Sequence, residues 1–373
     1  MSFVKFVQCK ECGLTYGIDE IVNRCKICNG SLDIILDYQK IKEAIRKSNF
    51  FKQKISHWKY WMFYPVNREN KISLNEGNTP LTKSEYFGSA FEELYFKLEN
   101  LNPTGSFKDR GSSVEITRAI ELNIDKVCCA STGNMGASIA AYCAKAGISC
   151  TIFLPHKTPK PKTNQIKIFG AKIVRVKGKY NQALKACERF SSRKNVYMVG
   201  DFPFRGEGEK SVGFEIVEQL KFNSPDWIVC PMGNGTLIYS IYDAFKDFFK
   251  AGLIKEIPRF LGIQAEGCNP IVKAFEKNLD YVKPVKKSKT LASAIDVPNP
   301  LDGNKALEVL RKRGFAGSVK DKEMVEIRKE LASKEGIFAE LAGVASLAGA
   351  LKFKEELNGR VVCIISGAGW KDF

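Results

Sequence analysis

Three short segments of this 373-residue chain carry side chains that could do chemistry. The first is Asn102-Pro103-Thr104-Gly105-Ser106-Phe107-Lys108-Asp109-Arg110-Gly111, a turn feeding a helix with a lysine in its first turn. A helix dipole disfavours a cation there. The position suits an amine to be neutralised in a Schiff base, and it also fits an ordinary surface lysine. The second, Ala130-Ser131-Thr132-Gly133-Asn134-Met135-Gly136, joins a strand to a helix. It offers backbone N–H groups for a carboxylate, and an amide side chain. The third, Pro231-Met232-Gly233-Asn234-Gly235-Thr236-Leu237, follows a later strand, and its glycines let the backbone wrap a phosphate. It is neither a Walker loop, since no GK[ST] follows, nor a GxGxxG fingerprint.

A fourth group is a cysteine quartet. Cys9-x2-Cys12 and Cys25-x2-Cys28 can each chelate a metal from one tight turn, helped by Gly13 and Gly30. Four thiolates favour Zn²⁺ in a closed, structural tetrahedral site. Two redox pairs, or plain reduced cysteines, are the alternatives. The remaining eight cysteines, Cys128, Cys129, Cys143, Cys150, Cys187, Cys230, Cys268 and Cys363, fall in apolar runs and read as small core residues.

The elements that must position these groups follow an α/β pattern. Residues 1–36 form a short, Cys-rich, ribbon-like segment, and residues 37–75 a connecting segment with a helical stretch and the aromatic run His57-Trp58-Lys59-Tyr60-Trp61. From 76 to 373, apolar runs (KVCCA, CTIFLP, AKIVRV, NVYMV, WIVCP, FLGIQA, RVVCIIS) alternate with segments of helical period. That is the signature of βαβ units on parallel sheets. Several strands end in small-residue turns, where open α/β sheets bind ligands. Two parallel-sheet domains are expected, the smaller at about 110–215 inserted into the larger.

Composition narrows the class. Hydrophobic residues make up 44% of the chain and charged residues 27%, which excludes a disordered chain. No apolar run is long enough to span a membrane, and the first residues lack a signal peptide's apolar core. Twelve cysteines without a secretion signal point to a reducing compartment, so a cytoplasmic location is expected. The formal net charge is +17, with a run from Lys157 to Lys179 that contains no acid. Nucleic acid would attract such a charge, particularly beside a Cys-rich ribbon, but no aromatic stacking array accompanies it. A solvated lysine-rich surface and attraction of an anionic substrate are the preferred readings.

Together, the segments resemble the pyridoxal 5'-phosphate (PLP)-dependent enzymes of the tryptophan synthase β-subunit fold, fold type II, and most closely the threonine synthases. The resemblance runs from about Trp58 to the C-terminus. It also takes in Glu76-Gly77-Asn78-Thr79-Pro80-Leu81, Gln264-Ala265-Glu266-Gly267, Thr290 to Ile295, and Ser366-Gly367-Ala368-Gly369-Trp370-Lys371-Asp372. Some archaeal-type members carry a Cys-rich N-terminal ribbon as well. The resemblance implies that Lys108 carries PLP as a Schiff base and then acts as the proton-shuttling base. Asn134 would bond the cofactor's phenolic oxygen, and Gly233, Asn234, Gly235, Thr236 and Leu237 would hold its phosphate. Ser366 would face the pyridine nitrogen, a hydroxyl there favouring elimination and replacement over transamination. Ser131, Thr132 and Gly133 would receive the substrate carboxylate. Arg205 and Lys210 match the family's Pro-x-Arg…Glu-Gly-x-Lys pattern, and Arg205 would meet a substrate phosphate.

The implied reaction turns O-phospho-L-homoserine and water into L-threonine and phosphate, a carbon–oxygen lyase step, and a homodimer is the expected assembly. A related PLP-dependent β-elimination or β-replacement enzyme, of the threonine/serine dehydratase, cysteine synthase or cysteate synthase type, would share the cofactor motifs. Departures from the threonine synthase pattern gather on the substrate side. Met135 replaces a hydroxyl residue, Val199 and Gly200 an Asn-Ser pair, Phe202 a polar residue, and Ala368 a histidine, with Trp370 two places on. Each removes a hydrogen-bonding group.

Overall fold

The computed structural model describes residues 2–131 and 133–373. Strands β1 (Val4–Cys9), β2 (Thr15–Tyr16) and β3 (Leu32–Leu36) pair antiparallel in the order β2-β1-β3. Helix α1 (Tyr38–Lys47) follows, capped by the Asp37 carboxylate on the N–H groups of Gln39 and Lys40. The aromatic run is core, not tether. It forms a 3₁₀ segment, His57–Phe63, with Tyr60 and Phe63 packed on Phe214 and Phe248.

Next come β4 (Leu81–Lys83), β5 (Glu93–Lys97) and helix α2 (Lys108–Glu121). A four-stranded unit follows: β6 (Lys126–Ala130), α3 (Asn134–Ala146), β7 (Ser149–Pro155), α4 (Lys160–Ile168), β8 (Lys172–Val176), α5 (Tyr180–Lys194) and β9 (Tyr197–Met198). Its sheet is parallel throughout, ordered β8-β7-β6-β9. Helices α6 (Pro203–Glu209) and α7 (Ser211–Gln219) lead back to β10 (Trp227–Pro231), α8 (Thr236–Ala251) and β11 (Arg259–Ala265). Then come α9 (Pro270–Glu276), α10 (Gly303–Arg313), β12 (Gly314–Val319), α11 (Asp321–Glu335), α12 (Leu341–Lys352) and β13 (Arg360–Ile364). The second sheet runs β12-β11-β10-β13-β5-β4, parallel except for the edge strand β4.

All seven apolar runs read from the sequence are strands (β6 to β11 and β13). Both faces of the larger sheet are covered, one by α8 and the aromatic segment, the other by α11 and α12. Strands buried on two faces need continuous apolar runs, which explains Trp227 to Pro231 and Val361 to Ile364. The eight cysteines outside the quartet are all buried and reduced, as core residues should be.

Two helices fix the geometry of the site. α2 and α6 approach so closely that a Cβ on Gly208 would lie 2.3 Å from the Arg110 carbonyl oxygen. A Cβ on Gly111 would lie 2.6 Å from Arg205 Cγ. Glycine at both positions allows the contact, and the contact brings the side chains of α6 against the first turn of α2.

Candidate active site

The segment around Lys108 is held by its neighbours. Asp109 accepts from the Thr104 N–H (2.6 Å), the Thr104 hydroxyl (2.6 Å) and the Ser138 hydroxyl (2.6 Å). Gly105 takes φ +81°, where a side chain would also strike the Trp370 ring. The Phe107 N–H donates to the Ser366 carbonyl at 3.2 Å. Arg110 is fully buried and grips Glu99 and Glu215 with 2.7 Å bonds, while Lys97 donates to Glu215 at 2.7 Å. Burial alone would raise these two carboxyls, but the Arg110 and Lys97 charges hold both below their ordinary range. Lys108 keeps 17% of its side chain exposed, whereas the neighbouring Asp109 and Arg110 are fully buried.

Lys108 lines a partly open cleft. Ser131, Asn134, Gly233, Asn234, Gly235, Thr236, Leu237 and Ser366 line it too, so the three segments converge. Thr132 lies outside the described residues, and Gly133 sits at the start of α3 with φ +138°. The Ser131 hydroxyl accepts from the N–H groups of Gly133 (2.9 Å) and Gly136 (2.8 Å), so this turn is pre-ordered. Gly235 takes φ +94° and begins α8, whose N-terminal N–H groups and dipole favour an anion.

Asn134 donates from Nδ2 to Glu340 at 2.7 Å, and its buried Oδ1 has no hydrogen-bond partner among the described residues. Lys162 also reaches Glu340, at 3.1 Å, and Ser293 at 3.1 Å. Lys162, in the run of lysines read as surface, is in fact 1% exposed. Its stem packs where a Cβ on Gly133 would be. Tyr180, Asp201 and Glu340 also face the cleft, and sequence reading gave none of them a role. The remaining wall is apolar: Met135, Ala294, Ile295, Val297 and Ala342.

Arg205 and Lys210 are not brought to this cleft. Arg205 is fully buried between Glu115 (3.2 Å) and Glu209 (3.2 Å), with a 2.8 Å bond to the Lys108 carbonyl. Burial would lower its affinity for its proton, but the two carboxylates raise it. Lys210 points to the opposite side of α6, pairing with Glu207 (2.6 Å) and Asp247 (2.9 Å) in a second cavity under β3. Both cations already have anionic partners, so neither stands ready for a substrate phosphate in this geometry.

The four cysteine sulfurs lie within 4.8 Å of one another. Cys9 and Cys28 are 3.4 Å apart, and Cys12 and Cys25 3.6 Å. Bonds of ~2.3 Å in a tetrahedral Zn–S₄ centre imply sulfur separations near ~3.8 Å. The cluster therefore has the compactness of such a centre.

A lysine amine, an anion-binding helix start and an amide side chain share one cleft, the arrangement that the resemblance to the PLP-dependent enzymes implies. Comparison agrees. The pattern of the pyridoxal-phosphate dependent enzymes matches residues 72–367. The chain is 44% identical to the threonine synthase of Methanocaldococcus jannaschii, covering 98% of this chain and 92% of that one. It is 41% identical to the threonine synthase of Methanosarcina acetivorans, with the same coverage. Among solved structures, maize serine racemase superposes with a TM-score of 0.71 at 22% identity, covering 81% of this chain and 92% of that one. A PLP-dependent aspartate racemase gives 0.71 at 22% identity, covering 82% and 96%. The structural matches establish the fold, and the chain belongs to the pyridoxal-phosphate dependent enzymes of fold type II. Within them it belongs to the threonine synthase family.

Proposed function

We propose that this enzyme converts O-phospho-L-homoserine and water to L-threonine and phosphate, with Lys108 as its covalent cofactor link and proton shuttle. The observation that carries the reading is the convergence of Lys108, Asn134, Ser366 and the turn from Gly233 to Leu237 on one cleft. Bound there, PLP would act as the electron sink that makes the substrate's α- and β-protons removable. The Gly235–Leu237 backbone, with the Thr236 hydroxyl anchored to Asp302 at 2.7 Å, would receive the cofactor phosphate. To bond the cofactor's phenolic oxygen, Asn134 would turn to it the Nδ2 that donates to Glu340 at 2.7 Å. The Ser131–Gly133 turn would take the substrate carboxylate, and Lys108 would move protons between Cα and Cβ. For Arg205 to meet the substrate phosphate, it would have to exchange Glu115 or Glu209 for it.

The segment at about 110–215 would move against the rest of the chain to close the cleft. Asn134 and Lys162 on that segment and Glu340 beyond it form one crossing point. The four cysteines would hold structural zinc, and a homodimer in the cytoplasm is the expected setting. No helix among the described residues is long and apolar enough to cross a membrane.

The test is phosphate release and threonine formation from O-phospho-L-homoserine by PLP-loaded enzyme. Turnover supports the reading. No turnover, together with deamination of threonine or serine or replacement at phosphoserine, would move the assignment to the related β-elimination and β-replacement enzymes.

A further inference from the structure

Where α6 meets α2, a carboxyl that the reaction as written does not use lies beside Lys108. Glu209 is fully buried, and its Oε1 lies 3.3 Å from Lys108 Nζ. Its Oε2 is buried without a hydrogen-bond partner among the described residues. The charged groups around it are Lys108 on α2, Arg205 on its own helix (3.2 Å) and Asp201 in the preceding loop, which is 3.7 Å from Lys108 Nζ. Glu115 of α2 takes the far side of Arg205, and from the sheet the neutral Cys230 thiol of β10 senses the cluster.

Two cations thus face three carboxylates, so the group as a whole is one positive charge short. Burial, reinforced by the Asp201 charge against the pull of Lys108 and Arg205, pushes the Glu209 carboxyl above its usual range. Burial pushes Glu115 up as well, to about 7. A buried acid that holds its proton more tightly than an exposed one, beside an amine that must be neutral to act as a nucleophile, is an arrangement for proton exchange. The 3.3 Å separation is loose for a formed bond and close enough for one to tighten.

We infer that Glu209 is a positioning residue for Lys108: it exchanges a proton with Nζ and thereby sets the charge on the amine that carries the cofactor. In the exchange, an N–H bond of the ammonium breaks and an O–H bond forms on Oε1. The result is an amine with a free lone pair beside a neutral carboxyl. The reverse transfer re-forms the ammonium and carboxylate. The inference rests on the assignment of Lys108 as the cofactor-bearing amine. The α2–α6 glycine contact is what places the carboxyl there, since wider packing would carry Glu209 out of reach.

The test uses the cofactor-free protein and trace acetic anhydride at a series of pH values, with Lys108 acetylation read by peptide mass spectrometry. A lysine loses reactivity as it is protonated, so the midpoint of labelling reports its charge. In E209Q the ammonium loses an anionic partner, and the midpoint is expected to move to lower pH by about one unit. E209D keeps the charge but sets it farther from the amine, and should move the midpoint in the same direction by a measurable amount less than half as large. A purely structural role reverses that order, because glutamine is isosteric and aspartate leaves a gap. Coincident midpoints for E209Q and wild type, or a larger shift in E209D, would overturn the inference. Should E209Q lose its cooperative thermal transition, E209D decides alone: a small shift to lower pH supports the inference and an unmoved midpoint ends it. PLP uptake by wild type, followed by its imine absorbance, is scored separately. Failure there defeats the cofactor assignment, whereas uptake with an unmoved E209Q midpoint defeats only the role of Glu209.

Discussion

Helix α2 carries buried charges on two sides, and the two sides are finished differently. Toward β5 and α7, Arg110 and Lys97 face Glu99 and Glu215, two cations against two anions. Every oxygen and nitrogen of those four groups has a partner, with Thr79, Asn78, Asn102, Ser211 and Gln219 completing the set. Toward α6, Glu209 Oε2, Asp201 Oδ1 and Arg205 Nε have no hydrogen-bond partner among the described residues, Arg205 Nε keeping only its 3.2 Å ion pair with Glu209. A closed network leaves nothing to react and serves to hold the helix start. An open one retains free valences, each costing ~1–3 kcal/mol, next to the one lysine the chemistry needs. Saturation distinguishes support from machinery here better than charge or burial does.

Removing one group from each side breaks the comparison in opposite ways. Lys108→Ala should lower kcat by at least ~10³-fold and abolish the imine absorbance, while the thermal midpoint stays near wild type. Loss of folding instead would put Lys108 on the supporting side. Arg110→Met leaves Glu99 and Glu215 buried without their main counter-charge. It should cost about 3–5 kcal/mol in a denaturant titration, a loss of stability before any loss of chemistry.

Acid sharpens the contrast. His57 abuts the closed network, with Nδ1 2.8 Å from Ser211 Oγ, and burial pulls its pKa down to about 4 despite the nearby Glu76 carboxylate. Its folded value lies below its unfolded one, ~6.5. The stability from keeping it neutral is therefore present above that value and declines as pH falls toward 4, by about 3 kcal/mol in all. Glu99 and Glu215, held low, add a further loss at more acid pH. Urea midpoints between pH 7 and 4 should show the first decline, and His57→Gln should flatten it. The smallest effect belongs to the cysteine quartet, which is part of neither charge cluster. Cys9→Ser should lower bound zinc well below one equivalent per chain and reduce the thermal midpoint by a few degrees. Turnover should change by less than about twofold, because four protein thiolates leave a zinc centre no open position for chemistry.

The parts of the fold visible in the sequence were those governed by local rules. Seven apolar runs became seven strands, and three glycine-bearing turns became the walls of one cleft. β12 escaped notice because Gly314 and Gly317 replace the expected apolar residues. A Cβ at Gly314 would lie 1.8 Å from the Phe260 carbonyl oxygen, and one at Gly317 2.3 Å from the Phe353 ring. Glu340 meets Asn134 across 206 residues, a partnership that no local pattern announces. Lys162 shows the same limit from the other direction, since a lysine inside a basic run looks solvated until the carboxylate facing it is known. For Glu209, one signal was on the page. The glycines of the Arg205-Gly206-Glu207-Gly208-Glu209 run are what a helix needs to lie against another backbone.

The N-terminal sheet is joined to the rest of the chain from both ends of the sequence. Asn23 donates to the Met198 carbonyl at 2.9 Å, while Asp33 receives Lys305 at 2.9 Å and Tyr239 at 2.8 Å. Asp33 and Lys305 are separated by 272 residues. At ~5–20 residues per second, a ribosome needs on the order of tens of seconds to supply that second partner. The sheet's own pairings are short-range, so it can form while most of the chain is still unmade. Until Lys305 emerges, its docking face, with the buried-to-be Val7, Leu32 and Leu36, stands open to solvent and to chaperones.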